Sequence, residues 1–232
     1  MYKLLRCCTA ALLGFLLVAS VVSAANSELE ACPAGAVSVL SSTGEEMHEV
    51  CGGAMAALSF FERLNIKPSH PLVVEVVPVM PNDVSQTAVG CFLEEGERIL
   101  VLHYPAFKNR GRWFNTPIDR SMYRSVVTHE VAHAIAYCNF SMRNPSIQAQ
   151  EYVAYVAMFA TMAGDLRERI LANNPGEGFE HASDINPVFY ALDPMTFGVE
   201  AYRHYAKSGR REALLLDILA GRIMTGHEME LP

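Results

Sequence analysis

Apolar positions in the first half of the chain follow two different spacings. Over residues 43–65 they recur at mixed helical intervals, and Thr43-Gly44-Glu45-Glu46 has the pattern of a capping box, so we predict a first helix there. The runs 72–79 (LVVEVVPV) and 98–104 (RILVLHY) are short and rich in β-branched residues, which predicts two strands. Pro78 indicates that the first of these strands ends there or lies at a sheet edge.

The next segment changes from loop to helix. Residues 108–117 (KNRGRWFNTP) contain Gly, Asn and Pro and predict a loop. Asp119 then stands where a side chain can cap a helix over residues 120–137.

The rest of the chain predicts more helices. They are expected from Pro145 to about residue 172, between Pro194 and Gly209, and over residues 210–220. The order of one helix, two or more strands and then mostly helices predicts an α+β fold.

Residues 1–24 have the features of a secretory signal peptide. Lys3 and Arg6 give a positive start, an apolar run follows, and Val22-Ser23-Ala24 matches a small-residue cleavage pattern. The apolar run is shorter than the roughly 20 residues that a membrane-spanning helix needs, so an uncleaved membrane anchor is the second choice. We therefore expect an exported chain, periplasmic or extracellular, in which residues 25–232 form one domain.

Net charge excludes two classes of partner. The chain has 18 Lys and Arg against 25 Asp and Glu, a formal charge of −7, and removing the leader with Lys3 and Arg6 makes it more negative. No basic cluster offsets this charge, so we expect neither nucleic acid nor a membrane surface as a partner of the mature chain.

The cysteines downstream of the leader are Cys32, Cys51, Cys91 and Cys138. An even number in an exported chain favours two disulfides, and three connectivities are open. We expect Cys32 to pair with Cys51 because they are close in sequence, and Cys91 to pair with Cys138 by elimination. No CxxC pair occurs, so a cysteine zinc site is not expected.

Residues 126–138 (VVTHEVAHAIAYC) contain the pattern His129-Glu130-x-x-His133. On a helix, positions i and i+4 lie on the same face, so two neutral imidazoles can bind one ion. Glu130 lies one step around the helix, where it can deprotonate a metal-bound water. The pattern predicts zinc ligands at His129 and His133 and a general base at Glu130; the alternative is a polar patch on a packed helix.

A catalytic zinc takes three protein ligands, so a third must exist. The metzincin arrangement is excluded because Ala136 and Asn139 stand where it needs Gly and His. Glu151 lies on a helical stripe that is otherwise apolar, together with Tyr155 and residues 158 and 162. A carboxylate on a core-facing stripe needs a partner, which makes Glu151 the predicted third ligand.

His129-Glu130-x-x-His133 followed by Glu151 on a separate helix resembles the gluzincin branch of the zincin metallopeptidases. The resemblance covers roughly residues 98–165. It implies a zincin-like fold, a small mixed sheet with an active-site helix followed by a mostly helical C-terminal part, and one Zn²⁺ held by His129, His133 and Glu151. It further implies hydrolysis of peptide or protein substrates with Glu130 as general acid and base, and it makes strand 98–104 the substrate-aligning edge strand.

Several alternatives stay open at this point. Tyr155, one turn after Glu151, is a candidate hydrogen-bond donor to an oxyanion, or else a core tyrosine. His204 is a weaker candidate for such a donor. If Glu151 is a surface acid, the substitute ligands are Asp165, Glu168, Glu177, Glu180 and His181. The rival functions are a non-catalytic zincin-like binding module that retains the metal helices and a metal-free, disulfide-bonded binding domain.

Overall fold

The structure is a computed structural model that describes residues 28–33, 35–41, 44–85, 87–94 and 97–224. The expected signal peptide and Thr43 of the expected capping box lie outside these ranges.

A mixed sheet forms the centre of the described fold. Its strands are β1 (Glu28–Ala31), β2 (Val37–Ser41), β3 (Leu72–Val77), β4 (Gly90–Leu93) and β5 (Arg98–Leu102), and their order in the sheet is β1-β2-β3-β5-β4. The three inner strands are parallel, whereas β1 and β4 run antiparallel at the two edges. Two further short strands, β6 (Arg112–Trp113) and β7 (Thr116–Pro117), pair with each other.

Helices make up most of the remaining structure. They are α1 (Met47–Glu62), α2 (Tyr104–Lys108), α3 (Arg120–Tyr137), α4 (Ile147–Thr161), α5 (Gly164–Asn173), α6 (Pro187–Leu192), α7 (Pro194–Lys207) and α8 (Arg211–Leu219). The α+β prediction is therefore confirmed. Among the described residues, no helix is both long enough and apolar enough to cross a bilayer.

Helix α3 has the bounds that the sequence predicted. The Asp119 side chain accepts a hydrogen bond from the backbone N–H of Met122 at 2.8 Å, which caps the free amides of the first turn. Nearly the whole length of α3 is buried. It approaches α1 closely at Gly53, where a Cβ atom would lie 2.8 Å from Cβ of Val127. The Thr128 hydroxyl donates to the Gly53 carbonyl oxygen across this contact.

The prediction of a single helix from Pro145 to about residue 172 is wrong. Met162 and Ala163 adopt extended conformations, with ψ of 145° and 133°, and they separate α4 from α5. The Arg167 side chain donates to the Phe159 carbonyl oxygen and so satisfies one acceptor at the broken end. Apolar residues continue through the break, which is why the hydrophobic pattern did not reveal it.

The helices and the sheet pack in layers around one core. Helices α1 and α3 cover one face of the sheet, and α4 packs on α3 and α1 on the side away from the strands. Helix α7 packs in turn on α4. The motif helix α3 is therefore held between the sheet and α4.

The edge strand beside α3 is β4, not the predicted strand over residues 98–104. That segment forms the inner strand β5, which pairs with β3 and β4, and then turns into α2 at Tyr104. Strand β3 ends at Val77, immediately before Pro78, and it also lies inside the sheet.

One of the two expected disulfides is present. A disulfide between Cys32 and Cys51 links the end of β1 to α1. From the length of the loop that it closes, this bond stabilises the folded state by about 3 kcal/mol. The expected pair of Cys91 and Cys138 is wrong, because both are free. Cys91 lies on β4 near Glu130 in the middle of α3, whereas Cys138 follows the last turn of that helix, so the two thiols are held apart.

Candidate metal centre

Helix α3 places two imidazoles on one face. His129 and His133 are one turn apart, and their Nε2 atoms lie 3.1 Å from each other. Both side chains are almost fully buried. Neutral imidazoles in this arrangement direct at least one Nε2 lone pair toward a shared point.

Helix α4 brings a carboxylate to the same point. Oε2 of Glu151 lies 3.5 Å from Nε2 of His129, and Oε1 lies 3.6 Å from Nε2 of His133. Ligand atoms that bind zinc tetrahedrally at their usual bond lengths lie about 3.4 Å from one another. The three side chains that the sequence brought together as ligands are thus close to the spacing that zinc needs.

The charges of this cluster also fit a divalent cation. Oε2 of Glu151 is buried and has no hydrogen-bond partner among the described residues. Glu130 and Glu151 place two buried carboxylates beside the two imidazoles, and buried carboxylates are costly unless a cation or a donor balances them. Two imidazole nitrogens and one carboxylate oxygen form a donor set that zinc commonly uses. One feature departs from most zinc sites: Nδ1 of His129 is buried without a partner in the described part of the chain.

The acids and bases of the cluster shift one another's protonation. Burial alone would raise the pKa of Glu151, but the facing rings of His133 and His129 hold it well below its ordinary value. Burial would lower the pKa of His133, yet Glu151 and Glu130 raise it. The carboxylate is therefore ionised and is available as a ligand.

Glu130 projects from α3 toward the edge strand. The backbone of Phe92 in β4 hydrogen-bonds to its carboxylate, and Gly90 packs so closely that a Cβ atom there would overlap the carboxylate. Burial raises the pKa of Glu130, and the nearby His129 and His133 rings oppose this rise only in part. A raised pKa brings a carboxyl group nearer to the value that suits proton transfer at neutral pH.

Tyr190 is a site residue that the sequence did not reveal. It lies on α6, and its hydroxyl donates to Oε1 of Glu151 at 2.8 Å. Burial and the Glu151 charge raise the pKa of this hydroxyl, so it stays protonated and keeps donating. The hydrogen bond orients the carboxylate of Glu151, the predicted third ligand. No sequence pattern signals this contact, because the two residues lie on different helices.

Tyr155 lies in the site, as its position one turn after Glu151 predicted. Its ring packs on His129 with centroids 4.4 Å apart. Gly198 on α7 permits this position, since a Cβ atom there would lie 2.6 Å from the Tyr155 ring. Burial raises the pKa of Tyr155 well above its ordinary value, so its hydroxyl remains a donor.

The cluster opens into a cleft with a volume of about 480 Å³. The segment that leads into β4, the strand β4 itself and helices α3, α4 and α6 form its walls. Trp113, Ile147 and Phe92 supply apolar surface, and Glu94 and Glu130 supply negative charge. No Lys or Arg side chain is among the described residues that line it.

Comparison with known proteins places this site within a family. A model of a "Family of unknown function (DUF6639)" matches residues 37–228, which include every residue of the cluster. The chain belongs to this family. No curated protein and no solved structure matches the chain significantly.

Other candidates from the sequence lie outside the cleft of this DUF6639 protein. The His204 ring and the Tyr152 hydroxyl share a hydrogen bond of 2.7 Å, and His204 borders a separate pocket. His204 is therefore not placed to contact a substrate at the cluster. The substitute ligands also lie elsewhere: Asp165, Glu168, Glu177, Glu180 and His181 do not line the cleft.

Proposed function

We propose that this chain is an exported zinc-dependent metallopeptidase of the gluzincin type. The observation that carries the proposal is the convergence of His129, His133 and Glu151 in a cleft where Glu130 lies beside an edge strand. A structural zinc site does not need a neighbouring general base, and a fourth protein ligand normally completes its coordination.

His129, His133 and Glu151 would hold the metal. When bound, zinc supplies a Lewis acid and a water acidic enough to ionise near neutral pH. Glu130 accepts the proton of the attacking water on its carboxylate and then donates it to the leaving amine. The Phe92 backbone hydrogen bond holds that carboxylate at the cleft wall during both transfers.

Tyr155 contributes a hydroxyl to the same cleft. It donates a hydrogen bond to the oxygen of the peptide carbonyl as negative charge develops there. Tyr190 keeps Glu151 in place and is a positioning residue.

The edge strand supports a peptide as substrate. Strand β4 is paired with β5 on one side, and its other side borders the cleft. An extended peptide binds such an edge through its backbone amides and carbonyls. Because the described lining offers no cation for a terminal carboxylate, we propose that the cleft does not select a C-terminal residue and that its apolar surface contacts apolar side chains of the peptide.

Export is part of the proposal. The leader-like residues 1–24 and the Cys32–Cys51 disulfide both favour an oxidising compartment, periplasmic or extracellular.

The substitution Glu130→Gln tests the catalytic assignment. It keeps the shape of the side chain but removes the proton acceptor, so we expect zinc content at this site to be unchanged and peptide hydrolysis to fall at least roughly 100-fold. Turnover of a peptide library and metal analysis measure the two effects.

Glu168→Gln is the matched control, because Glu168 is exposed on α5 and does not line the cleft. Equal turnover by wild type and Glu130→Gln would refute the role of Glu130. Bound zinc with no hydrolysis in the wild type would instead favour the non-catalytic binding module.

A further inference from the structure

A second group of side chains that could bind a metal lies at the C-terminal end of α3. Within the described ranges, only two groups bring together three or more such side chains, and the second consists of His70, Glu97 and Cys138. Their ligand atoms lie within 4.8 Å of one another.

The topology explains why these residues meet. His70 and Glu97 precede the neighbouring parallel strands β3 and β5, so they stand at the same end of the sheet. Helix α3 packs on β5 and ends at Cys138, which brings the thiol to that end. The three ligands come from distant parts of the chain.

Hydrogen bonding orients the His70 ring toward the other two side chains. Nδ1 of His70 lies 3.0 Å from the carbonyl oxygen of Pro71, so Nδ1 must be the donor. In the neutral ring, Nε2 then carries a lone pair. This Nε2 atom is buried and faces Oε2 of Glu97, which is also an acceptor. Two acceptors in contact repel each other unless the ring carries a proton or the two side chains separate slightly and bind one cation.

The nearby thiol of Cys138 favours the cation. An ion pair between His70 and Glu97 does not involve Cys138. A thiolate, an imidazole and a carboxylate together, however, form a set of zinc ligands. In the oxidising compartment proposed above, a half-buried free thiol is open to oxidation, and metal binding protects it. A groove beside His70 and Glu97 gives an ion access.

We propose that His70, Glu97 and Cys138 bind a second divalent transition-metal ion, with zinc as the natural occupant. This ion joins the β4–β5 hairpin to the end of α3 and thereby steadies the edge strand at the cleft. Its binding does not depend on the catalytic proposal.

Cobalt binding to metal-free protein tests this site separately from the first. Cobalt held by a thiolate gives a sulfur-to-metal charge-transfer absorption in the near ultraviolet, and the His129, His133 and Glu151 cluster contains no thiolate. With both free thiols confirmed as reduced, we expect two equivalents of cobalt per chain and this absorption in the wild type.

Single substitutions show which residues produce the charge-transfer absorption. Cys138→Ser should lose the absorption and one equivalent, whereas Cys91→Ser, the matched control, keeps both. Glu97→Gln, at an exposed position that tolerates the change, should weaken binding of that equivalent about ten-fold. His133→Ala should lose the other equivalent and keep the absorption.

Three outcomes would overturn the second site. The wild type could show no charge-transfer absorption, which would leave only an ion pair between His70 and Glu97. Otherwise, the absorption could survive in Cys138→Ser or disappear in Cys91→Ser. Failure of the first metal site gives a different result, since His133→Ala would then bind as much cobalt as the wild type, and loss of hydrolysis alone leaves both cobalt equivalents in place.

Discussion

The two oxygens of Glu151 have different partners. Oε1 accepts a hydrogen bond from Tyr190, while Oε2 faces His129 without a hydrogen bond. In metal sites, residues that hold a ligand in this way contribute to affinity although they never contact the ion.

Tyr190→Phe should therefore weaken zinc binding by roughly ten-fold, because the Glu151 carboxylate loses its fixed orientation. Competition against a chromophoric chelator measures the affinity. Tyr202→Phe serves as a control, since Tyr202 stacks on Phe159 away from the cleft. Equal zinc affinity in Tyr190→Phe and wild type would contradict a positioning role.

We propose that Tyr155, which lines the cleft, acts on the substrate and not on the metal. Phenylalanine at this position keeps the ring contact with His129 but removes the hydroxyl. We expect Tyr155→Phe to lower kcat on the order of 100-fold while KM and zinc content stay near the wild-type values. An unchanged kcat would identify Tyr155 as a core residue only.

At the scale of elements, the contact between β4 and α3 sets the position of Glu130, the proposed general base. Gly90→Ala places a methyl group where the Glu130 carboxylate lies, so either the strand or the carboxylate must move. We expect kcat to fall roughly 10- to 100-fold with zinc retained, because small misplacements of catalytic groups are costly.

Gly164→Ala is the control for this substitution, since a Cβ atom at Gly164 meets nothing within 4 Å. Full activity in Gly90→Ala would show that the edge strand does not position Glu130.

The sequence predicted α3 and the start of α4 because their signals are local. Asp119 marked the start of α3, the spacing of His129 and His133 placed both rings on one face, and the stripe through Glu151 indicated which side of α4 is buried. Each of these signals spans only a few turns of one helix.

Features that depend on distant contacts could not be predicted in this way. Strand β4 is short and contains Gly90, so it has little strand signal of its own, and its place at the edge depends on pairing with β5. Likewise, the sequence carries no distance information to separate Cys91 from Cys138 or to bring Tyr190 to Glu151.

For the whole molecule, the two edges of the sheet are secured differently. The β1 side is joined to α1 by the Cys32–Cys51 disulfide. On the other side, β4 borders the cleft, and the proposed second ion ties its hairpin to the end of α3. Helix α3 thus carries ligands for both proposed ions, His129 and His133 in its middle and Cys138 at its end.

The most direct test of this account is the position of zinc in crystals of the mature protein, measured by anomalous scattering at the zinc edge. We predict a peak about 2 Å from Nε2 of His129, Nε2 of His133 and a carboxylate oxygen of Glu151. Zinc-replete crystals with no peak at these three atoms, or with the Glu151 carboxylate turned away from both rings, would contradict it.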